Sequence, residues 1–511
     1  FTSMMQMIAR QLLVNPHGIA IVNPQGRWRY GDIALRVGAV VGALRQLRPT
    51  NVLIYGHKEC DTVAALLACA WCSVPFTVAD SVNPPLRTAR IAAMYGADLI
   101  LDGRADAQTS PFSAARTLAL SALPDAALAS DYSPPAAANA LFYVLSTSGS
   151  TGQPKGVRVG CDNFGAFFAW YHRLFAAIGG DGGHLNHARL SFDMGLLDVF
   201  TCFALGRPLV MLPHDYNALP RLNLNLMTAA PEVQVTTAFS TPSFLDIMCR
   251  DPRFNAERLP HFQATIVGGE FVPPQLVARL RQRFPSLTFY HAYGPTETAC
   301  VTHIHAIDDA AAAAAALLPL GRPLGRNRIL IEDETGQPLP PGETGEVVIY
   351  GDQVGQGYLP ASHPKNAAFG MRDGVPFYRT GDLGWLDNAD SLFIKGRIDS
   401  QVKWNGNRID LQEIDAAACS FAQTVMATSV PIWQQQRLAE IVLFVQLKQQ
   451  DETACEAFWA HLNQQLPRYM IPTAVRYLVA FPLNQNGKID RQALLPLVDS
   501  ARPENSTAQA G

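Results

Sequence analysis

The sequence predicts an α/β protein: a large N-terminal domain of parallel-rich sheets flanked by helices, a small β-rich subdomain within it, and a small α+β C-terminal domain. Three observations predict this. Short segments rich in Val, Ile and Leu at 51–55, 74–78, 98–101, 208–212 and 265–267 alternate with longer Ala/Leu-rich helical segments. That order builds parallel sheets, because each crossover supplies a helix that covers a sheet face. From 328 to 350 the pattern changes to short strands around the turn Pro340-Pro341-Gly342-Glu343, which marks the β-rich layer. Near Asp399 the chain leaves the turn Lys395-Gly396-Arg397-Ile398-Asp399 and enters about 110 residues with helices and strands of their own. The expected spans are 1–398, 399–500 and a polar, frayed tail at 501–511.

Each part is consistent with the bulk properties. The chain has 511 residues, 48% hydrophobic and 16% charged, enough to bury more than one core and too apolar for a disordered or fibrous chain. Its 40 Lys and Arg against 43 Asp and Glu give a net charge of -3, so no overall field holds nucleic acid or an anionic membrane. No nucleic-acid partner is expected. Nine scattered cysteines, an odd number in a chain too large to need staples, point to a reducing cytoplasm. The first residues do not read as a secretory signal, which also favours the cytoplasm. The longest apolar stretch, 63–79, is broken by Ser73 and Pro75 and falls short of the roughly 20 residues that span a bilayer. It reads as a buried helix running into a strand, and no membrane insertion is expected. Cys69 and Cys72 form a C-x-x-C there with no second pair, so core packing is the expected role. The alanine tract at 310–316 reads as a short helix on a tolerant connection.

The chemistry concentrates first in Leu145-Ser146-Thr147-Ser148-Gly149-Ser150-Thr151-Gly152-Gln153-Pro154-Lys155-Gly156, which follows the apolar strand 141–144. Glycines allow tight turns, hydroxyls and free N–H groups surround phosphate oxygens, and a lysine offsets their charge. The P-loop of kinases and ATPases is excluded by spacing. Counting from Gly149, Pro154 stands where the second glycine belongs, and Gly156 stands where Ser or Thr would hold magnesium.

This segment resembles the signature loop of the adenylate-forming superfamily, which includes acyl-CoA synthetases, luciferases and peptide-synthetase adenylation domains. Further motifs follow in order. Tyr293-Gly294-Pro295-Thr296-Glu297-Thr298 resembles the adenine and magnesium segment, and Tyr378-Arg379-Thr380-Gly381-Asp382 the ribose segment. Gly396-Arg397-Ile398-Asp399 resembles the hinge, and Asn486-Gly487-Lys488-Ile489-Asp490 the segment with the catalytic lysine. The resemblance implies catalytic roles for Lys488, Thr147 and Lys155. It implies nucleotide binding by Ser148, Gly149, Thr151, Gly269, Glu270, Tyr293, Gly294, Thr296, Asp382 and Arg397, with ATP and Mg²⁺ as the required small molecules. It also implies a mobile C-terminal domain that rotates about Asp399 after adenylation and withdraws Lys488.

Several of these roles also follow from the residues themselves. Glu297 can bind Mg²⁺ directly or through water, or be an ordinary turn carboxylate. Asp382 can accept from both ribose hydroxyls. Arg397 can bond ribose or phosphate oxygens, or simply pair with a neighbouring Asp. The 403–406 segment reads either as a hairpin or as an approach to the thiol tunnel.

Asp193, in Ser191-Phe192-Asp193-Met194, matches the position at which amino-acid-activating members hold the substrate ammonium. A buried carboxylate needs such a cation, although an Asp here could also cap a helix. The similarity extends to stand-alone D-alanine:carrier-protein ligases and their glycine-activating relatives, through Ser240-Thr241-Pro242-Ser243-Phe244, Gly269-Glu270 and Leu466-Pro467-Arg468-Tyr469-Met470-Ile471-Pro472. By the same alignment Met194, Phe239, Gly268, Ala292 and Cys300 line the substrate pocket, with Leu197 and Val301 beside them. Where those ligases have a cysteine this chain has Gly268, and Phe239 replaces a small threonine-like residue. Losing the cysteine should open one wall and the phenyl ring should fill far more, which ranks glycine first and D-alanine second. Cys300 has no recognisable catalytic partner. His184, His187, His303 and His305 could suggest zinc, but separate local roles are the simpler expectation.

The function expected is ATP-dependent formation of an aminoacyl adenylate, then transfer to the phosphopantetheine thiol of a separate carrier protein, with a role in cell-envelope modification. The alternatives are an acyl-CoA synthetase using free coenzyme A and a non-catalytic nucleotide-binding protein of the same fold.

Overall fold

The computed structural model describes residues 1–106, 112, 116–147, 153–216, 218–315, 317–483 and 489–500. They group into two compact units: Phe1–Ser81, Ile91–Thr147 and Lys155–Asp399 in the first, and 400–483 and 489–500, with Val82–Arg90, in the second.

The first unit contains three sheets among the described residues. In one, His303–Ile307, Thr288–Tyr293, Ala264–Val267, Val235–Ser240, Gly183–Asn186, Leu209–Met211, Ile19–Asn23 and Gly26–Arg29 lie side by side in that order, parallel except at the two edges. In the second, Phe76–Asp80, Val52–Gly56, Leu99–Asp102 and Arg116–Ala119 run parallel to Leu141–Thr147, which pairs antiparallel with Lys155–Gly160. The third is antiparallel, built from Arg328–Glu332, Gly345–Tyr350, Val375–Leu386, Phe369–Arg372 and Leu392–Arg397. It is the β-rich layer the sequence predicts.

One core cluster joins the two parallel-rich sheets. It combines Ile21, Leu209 and Phe239 of the first with Ile54, Phe76 and Tyr143 of the second, and packs helices Cys60–Trp71, Cys161–Gly179 and Asp193–Leu205 between them. Every residue from Thr62 to Trp71 is buried, so that helix is apolar all round, as the sequence reading expects of a core helix. Its last turn is closed by the Val74 N–H on the Cys69 carbonyl, 2.9 Å away. The following strand therefore starts at Phe76, two residues later than the apolar run suggests. Cys69 is buried in this helix and Cys72 ends it, both as free thiols. The alanine tract forms the short helix Asp309–Ala314. Among the described residues no helix is long and apolar enough to cross a membrane.

In the second unit the hairpin Gln401–Trp404 and Asn407–Asp410 turns through Asn405 (φ 49) and Gly406 (φ 80). Two positive φ angles make the mirror-image turn whose twist matches paired strands, which is what an Asn-Gly pair supplies. Asp410 caps helix Leu411–Cys419 through the Gln412 N–H at 3.0 Å. A sheet of Thr424–Gln434, Arg437–Leu447 and Ala474–Tyr477 follows. Alternate residues of its central strand point to opposite sides. Ile441 and Leu443 face Ile414, Phe458 and Leu462, while Val442 and Phe444 face Phe481, Leu494 and Val498. A bridge between Leu483 and Ile489, and the Asp490 N–H on the Pro482 carbonyl at 2.9 Å, bracket the lysine-bearing segment. Lys488 itself lies outside the described residues.

Candidate active site

Most predicted site residues of the first unit lie in connections that leave the carboxyl ends of parallel strands, where open α/β sheets place their ligand crevice. Thr147 ends its strand and pairs with Lys155 across the antiparallel ladder, so the two ends of the phosphate loop are held together. Ser148, Gly149 and Thr151 lie outside the described residues. The Thr147 hydroxyl is buried without a hydrogen-bond partner among the described residues, which fits a donor reserved for a phosphate oxygen. Lys155 is 1% exposed, and its Nζ stands 4.9 Å from the centre of the Tyr358 ring.

Glu297, in the short helical turn Thr296–Thr298, is completely buried. Its Oε1 accepts from the Tyr358 hydroxyl at 2.6 Å, and Tyr358 also hydrogen-bonds Tyr378 at 2.9 Å. Lys155, Tyr358, Tyr378 and Glu297 thus form one buried polar group. Tyr358 is a member that sequence reasoning missed; it is placed by a short strand that pairs with Gly156 and Val157, which nothing local in the sequence marks.

Asp382 lies in the strand Val375–Leu386 and is 7% exposed. Its Oδ2 accepts from the Tyr293 hydroxyl at 2.6 Å and its Oδ1 from Arg397 Nη1 at 3.0 Å. Each oxygen retains a lone pair, so the carboxylate can still accept two hydroxyls. Burial is the main cause that pushes the Tyr293 phenol up, followed by the Asp382 charge, so the tyrosine stays a donor. Arg397 also grips Asp399 with Nε at 3.0 Å and Nη2 at 2.7 Å. The neighbouring-Asp alternative raised for Arg397 is therefore present, but it does not displace the contact to Asp382.

Glu270 accepts from the Ser243 N–H at 2.8 Å and from its hydroxyl, fixing Gly269-Glu270 against the start of helix Pro242–Met248. Register puts Phe239 opposite Ile266 and Ile266 opposite Tyr290. With a period of two, Phe239, Ile266, Gly268 and Ala292 fall on one face of the sheet. A Cβ at Gly268 would lie 2.6 Å from the Ala292 carbonyl oxygen. The missing side chain therefore leaves no void at that point, and the expectation that Gly268 opens a wall gives way to a wall closed by Ala292. Gly294 is required for a similar reason: a Cβ there would meet Val301 Cα at 2.4 Å.

Asp193 is the first residue of helix Asp193–Leu205, and its Oδ1 accepts from the Met194 N–H at 2.8 Å. The N-cap of this helix is Phe192 and no side chain caps it, so Asp193 does not play the capping role weighed against the ammonium role. Cys300 Sγ contacts the Asp193 carbonyl at 3.7 Å, and burial, then the Asp193 charge, push the thiol up. It stays a neutral thiol. Tyr143, fully buried on the strand that ends at Thr147, has its phenol pushed up by burial and then by Cys300 and Asp193; sequence reasoning missed it.

His184 and His303 make separate local contacts. His184 uses both ring nitrogens, on Thr237 at 2.8 Å and Asp198 at 2.7 Å, while His303 bonds Thr302 at 2.9 Å. Among the described residues no three His, Cys, Asp or Glu side chains form a metal-binding group.

Buried Glu297 with Tyr358, buried Asp382 with Tyr293 and Arg397, and the paired strand ends Thr147 and Lys155 are an arrangement compatible with an adenylate-forming enzyme. The chain belongs to the AMP-binding enzyme family, whose model matches residues 8–359, and it is an ATP-dependent adenylating ligase. A D-alanine–D-alanyl carrier protein ligase of Bacillus licheniformis is 30% identical over 500 residues, 96% of this chain and 98% of that protein. One of Lactiplantibacillus plantarum is 36% identical over 365 residues, 70% of this chain and 71% of that protein. Two solved structures show the same fold. An NRPS protein with adenylation and PCP domains, bound to a vinylsulfonamide inhibitor, has a TM-score of 0.80 at 24% identity, covering 96% of this chain and 84% of that one. A Vibrio cholerae adenylation domain in complex with glycyl-adenosine-5'-phosphate has a TM-score of 0.79 at 19% identity, covering 97% and 98%.

Proposed function

We propose that this ligase activates a small amino acid, glycine first and D-alanine second, and passes it to the phosphopantetheine thiol of a separate carrier protein in the cytoplasm, for cell-envelope modification. The observation that carries the reading is the closed row Phe239, Ile266, Gly268 and Ala292 in the core that also holds Cys300 and abuts Met194. A phenyl ring and a backbone carbonyl occupy the space a larger side chain would need. Relatives that act on D-alanine and a carrier protein support a small amino acid and a carrier partner.

In the first step a carboxylate oxygen of the amino acid attacks the α-phosphorus of ATP and pyrophosphate leaves. Asp193 would hold the ammonium, Asp382 the ribose hydroxyls, and Thr147 and Lys155 the phosphate oxygens. The oxygen-only character of buried Glu297 fits a hard Mg²⁺ ion, which when bound would neutralise triphosphate charge. Lys488 is proposed to stabilise charge at the reacting phosphate. In the second step the thiol attacks the mixed anhydride and AMP leaves. Asp399 is the proposed hinge between the two steps.

ATP–pyrophosphate exchange with glycine, D-alanine, L-alanine, L-serine and acetate tests the reading. Glycine should give the highest kcat/KM, and thioester should form on a phosphopantetheinylated carrier. Exchange with acetate and not with amino acids would sink the proposal, as would a preference for L-serine.

A further inference from the structure

The pocket wall that carries Cys300 adopts a backbone its own residues disfavour. Ala299 (φ 49) and Cys300 (φ 75) are consecutive non-glycine residues in the left-handed region, and both are fully buried. Such a conformation persists only where the surroundings impose it, and it tends to occur at functional sites. The imposing group here is the side-chain amide of Gln353, itself 1% exposed. Its Nε2 donates to the carbonyls of Thr298 at 3.0 Å and Val301 at 3.1 Å, with Ala299 at 3.5 Å. Its Oε1 accepts from Trp170 Nε1 at 2.8 Å and Asn327 Nδ2 at 2.7 Å. Two donors on one side and three acceptors on the other leave a single orientation for the amide.

Gln353 is in turn placed from outside the pocket. Asn163, on the same helix as Trp170, donates to the carbonyls of Asp352 at 2.8 Å and Val354 at 3.0 Å, one on each side of it. Two residues further, the Gly355 N–H donates to the Glu297 carbonyl at 2.8 Å. The loop it grips reaches the substrate side directly, since Cys300 Sγ stands 3.7 Å from the Asp193 carbonyl.

We infer that Gln353 is a positioning residue that sets amino-acid selectivity: by gripping carbonyls on both sides of Cys300 it fixes how far that wall stands from Asp193. The inference rests on the proposed role of Asp193. Without the amide, three buried carbonyls lose a donor and the left-handed pair relaxes, which moves Cys300 and changes the room beside the ammonium site.

The test is ATP–pyrophosphate exchange by Gln353→Met, which keeps the length and removes the hydrogen bonds, and by Trp170→Phe, which removes only one donor to Oε1. In Gln353→Met the KM for the favoured amino acid should rise about tenfold, the order expected for buried polar groups left unpaired. Its selectivity over the next larger amino acid should fall by a similar factor, with the KM for ATP within about twofold of wild type. Trp170→Phe should move the same quantities less. A folded Gln353→Met with unchanged amino-acid KM and selectivity overturns the inference, and so does an equal rise in both KM values. If Gln353→Met does not fold, Trp170→Phe is judged by the same criteria. Wild-type enzyme that exchanges with no amino acid refutes the Asp193 reading, and this inference with it. Wild-type exchange with indifferent variants refutes the inference alone.

Discussion

Tyr358→Phe removes one oxygen from the buried group around Glu297 and leaves the rest in place. The ring that faces Lys155 at 4.9 Å and packs edge-on against Phe369 at 5.2 Å is retained. What disappears is a 2.6 Å hydrogen bond to a carboxylate with no exposed surface, together with the 2.9 Å contact to the Tyr378 hydroxyl. A hydrogen bond to a charged acceptor contributes about 1.5–3 kcal/mol, and leaving the acceptor short of a donor costs at the upper end. If Glu297 must be held in one orientation during adenylation, pyrophosphate exchange should fall about ten- to a hundredfold. The magnesium concentration giving half the maximal rate should rise, while the KM for the amino acid stays close to wild type. The assay is exchange at saturating ATP with magnesium varied, run beside a thermal melt that reports folding. Exchange within about twofold of wild type with an unchanged magnesium response would refute the argument that Tyr358 orients a working Glu297. A lowered melting temperature with unaltered kinetics would leave Tyr358 only a packing role.

Two further perturbations separate nucleotide binding from stability. Asp382→Asn weakens the 3.0 Å pair with Arg397 and removes acceptor capacity, so the KM for ATP should rise about tenfold or more while the amino-acid KM barely moves; equal changes in both would contradict the ribose role. Asp415 is pushed up to about 6 from 3.8 by burial, against the opposing hydrogen bonds from Ser429 and the Arg491 charge, with Asp410 adding to the rise. Between those two values the folded state keeps a proton the unfolded chain has lost, so stability falls as pH rises through that window and the penalty is complete above it. The two-unit difference corresponds to at most about 3 kcal/mol. Asp415→Asn should therefore melt higher than wild type at pH 7 and no differently near pH 4, and a variant that gains nothing at pH 7 would contradict the buried-charge account.

The parallel strands were legible because both of their faces are covered. Val52–Gly56 and Phe76–Asp80 are buried at every position; the first reads as an unbroken apolar run, while the second also buries Thr77 and Asp80. Gly26–Arg29 gives no such signal, because its residues are mostly exposed and it sits on an edge whose pairing comes from Ile19–Asn23. The hairpin at 401–410 was legible through Asn405-Gly406, where turn chemistry is local. The start of the strand at Phe76 was not, because it depends on how the preceding helix closes its last turn.

The site divides along the same line. Asp382, Arg397, Glu297 and Asp193 were singled out because the segments that carry them resemble the family's motifs in their order along the chain. Tyr358 and Gln353 do not, since their work is defined by partners far away in the chain: Gln353 meets Trp170 across 183 residues and Tyr358 meets Glu297 across 61. Nothing near either residue in sequence marks it as unusual. The pocket argument shows the same limit from the other side. An alignment can report that Gly268 lacks a side chain, but whether that absence makes space depends on the adjacent strand, and there the Ala292 carbonyl takes the space. Selectivity in this site should therefore respond more to residues that set backbone separation, such as Gln353, than to side-chain volume at Gly268. There a Cβ has to displace the backbone before it can contact any substrate.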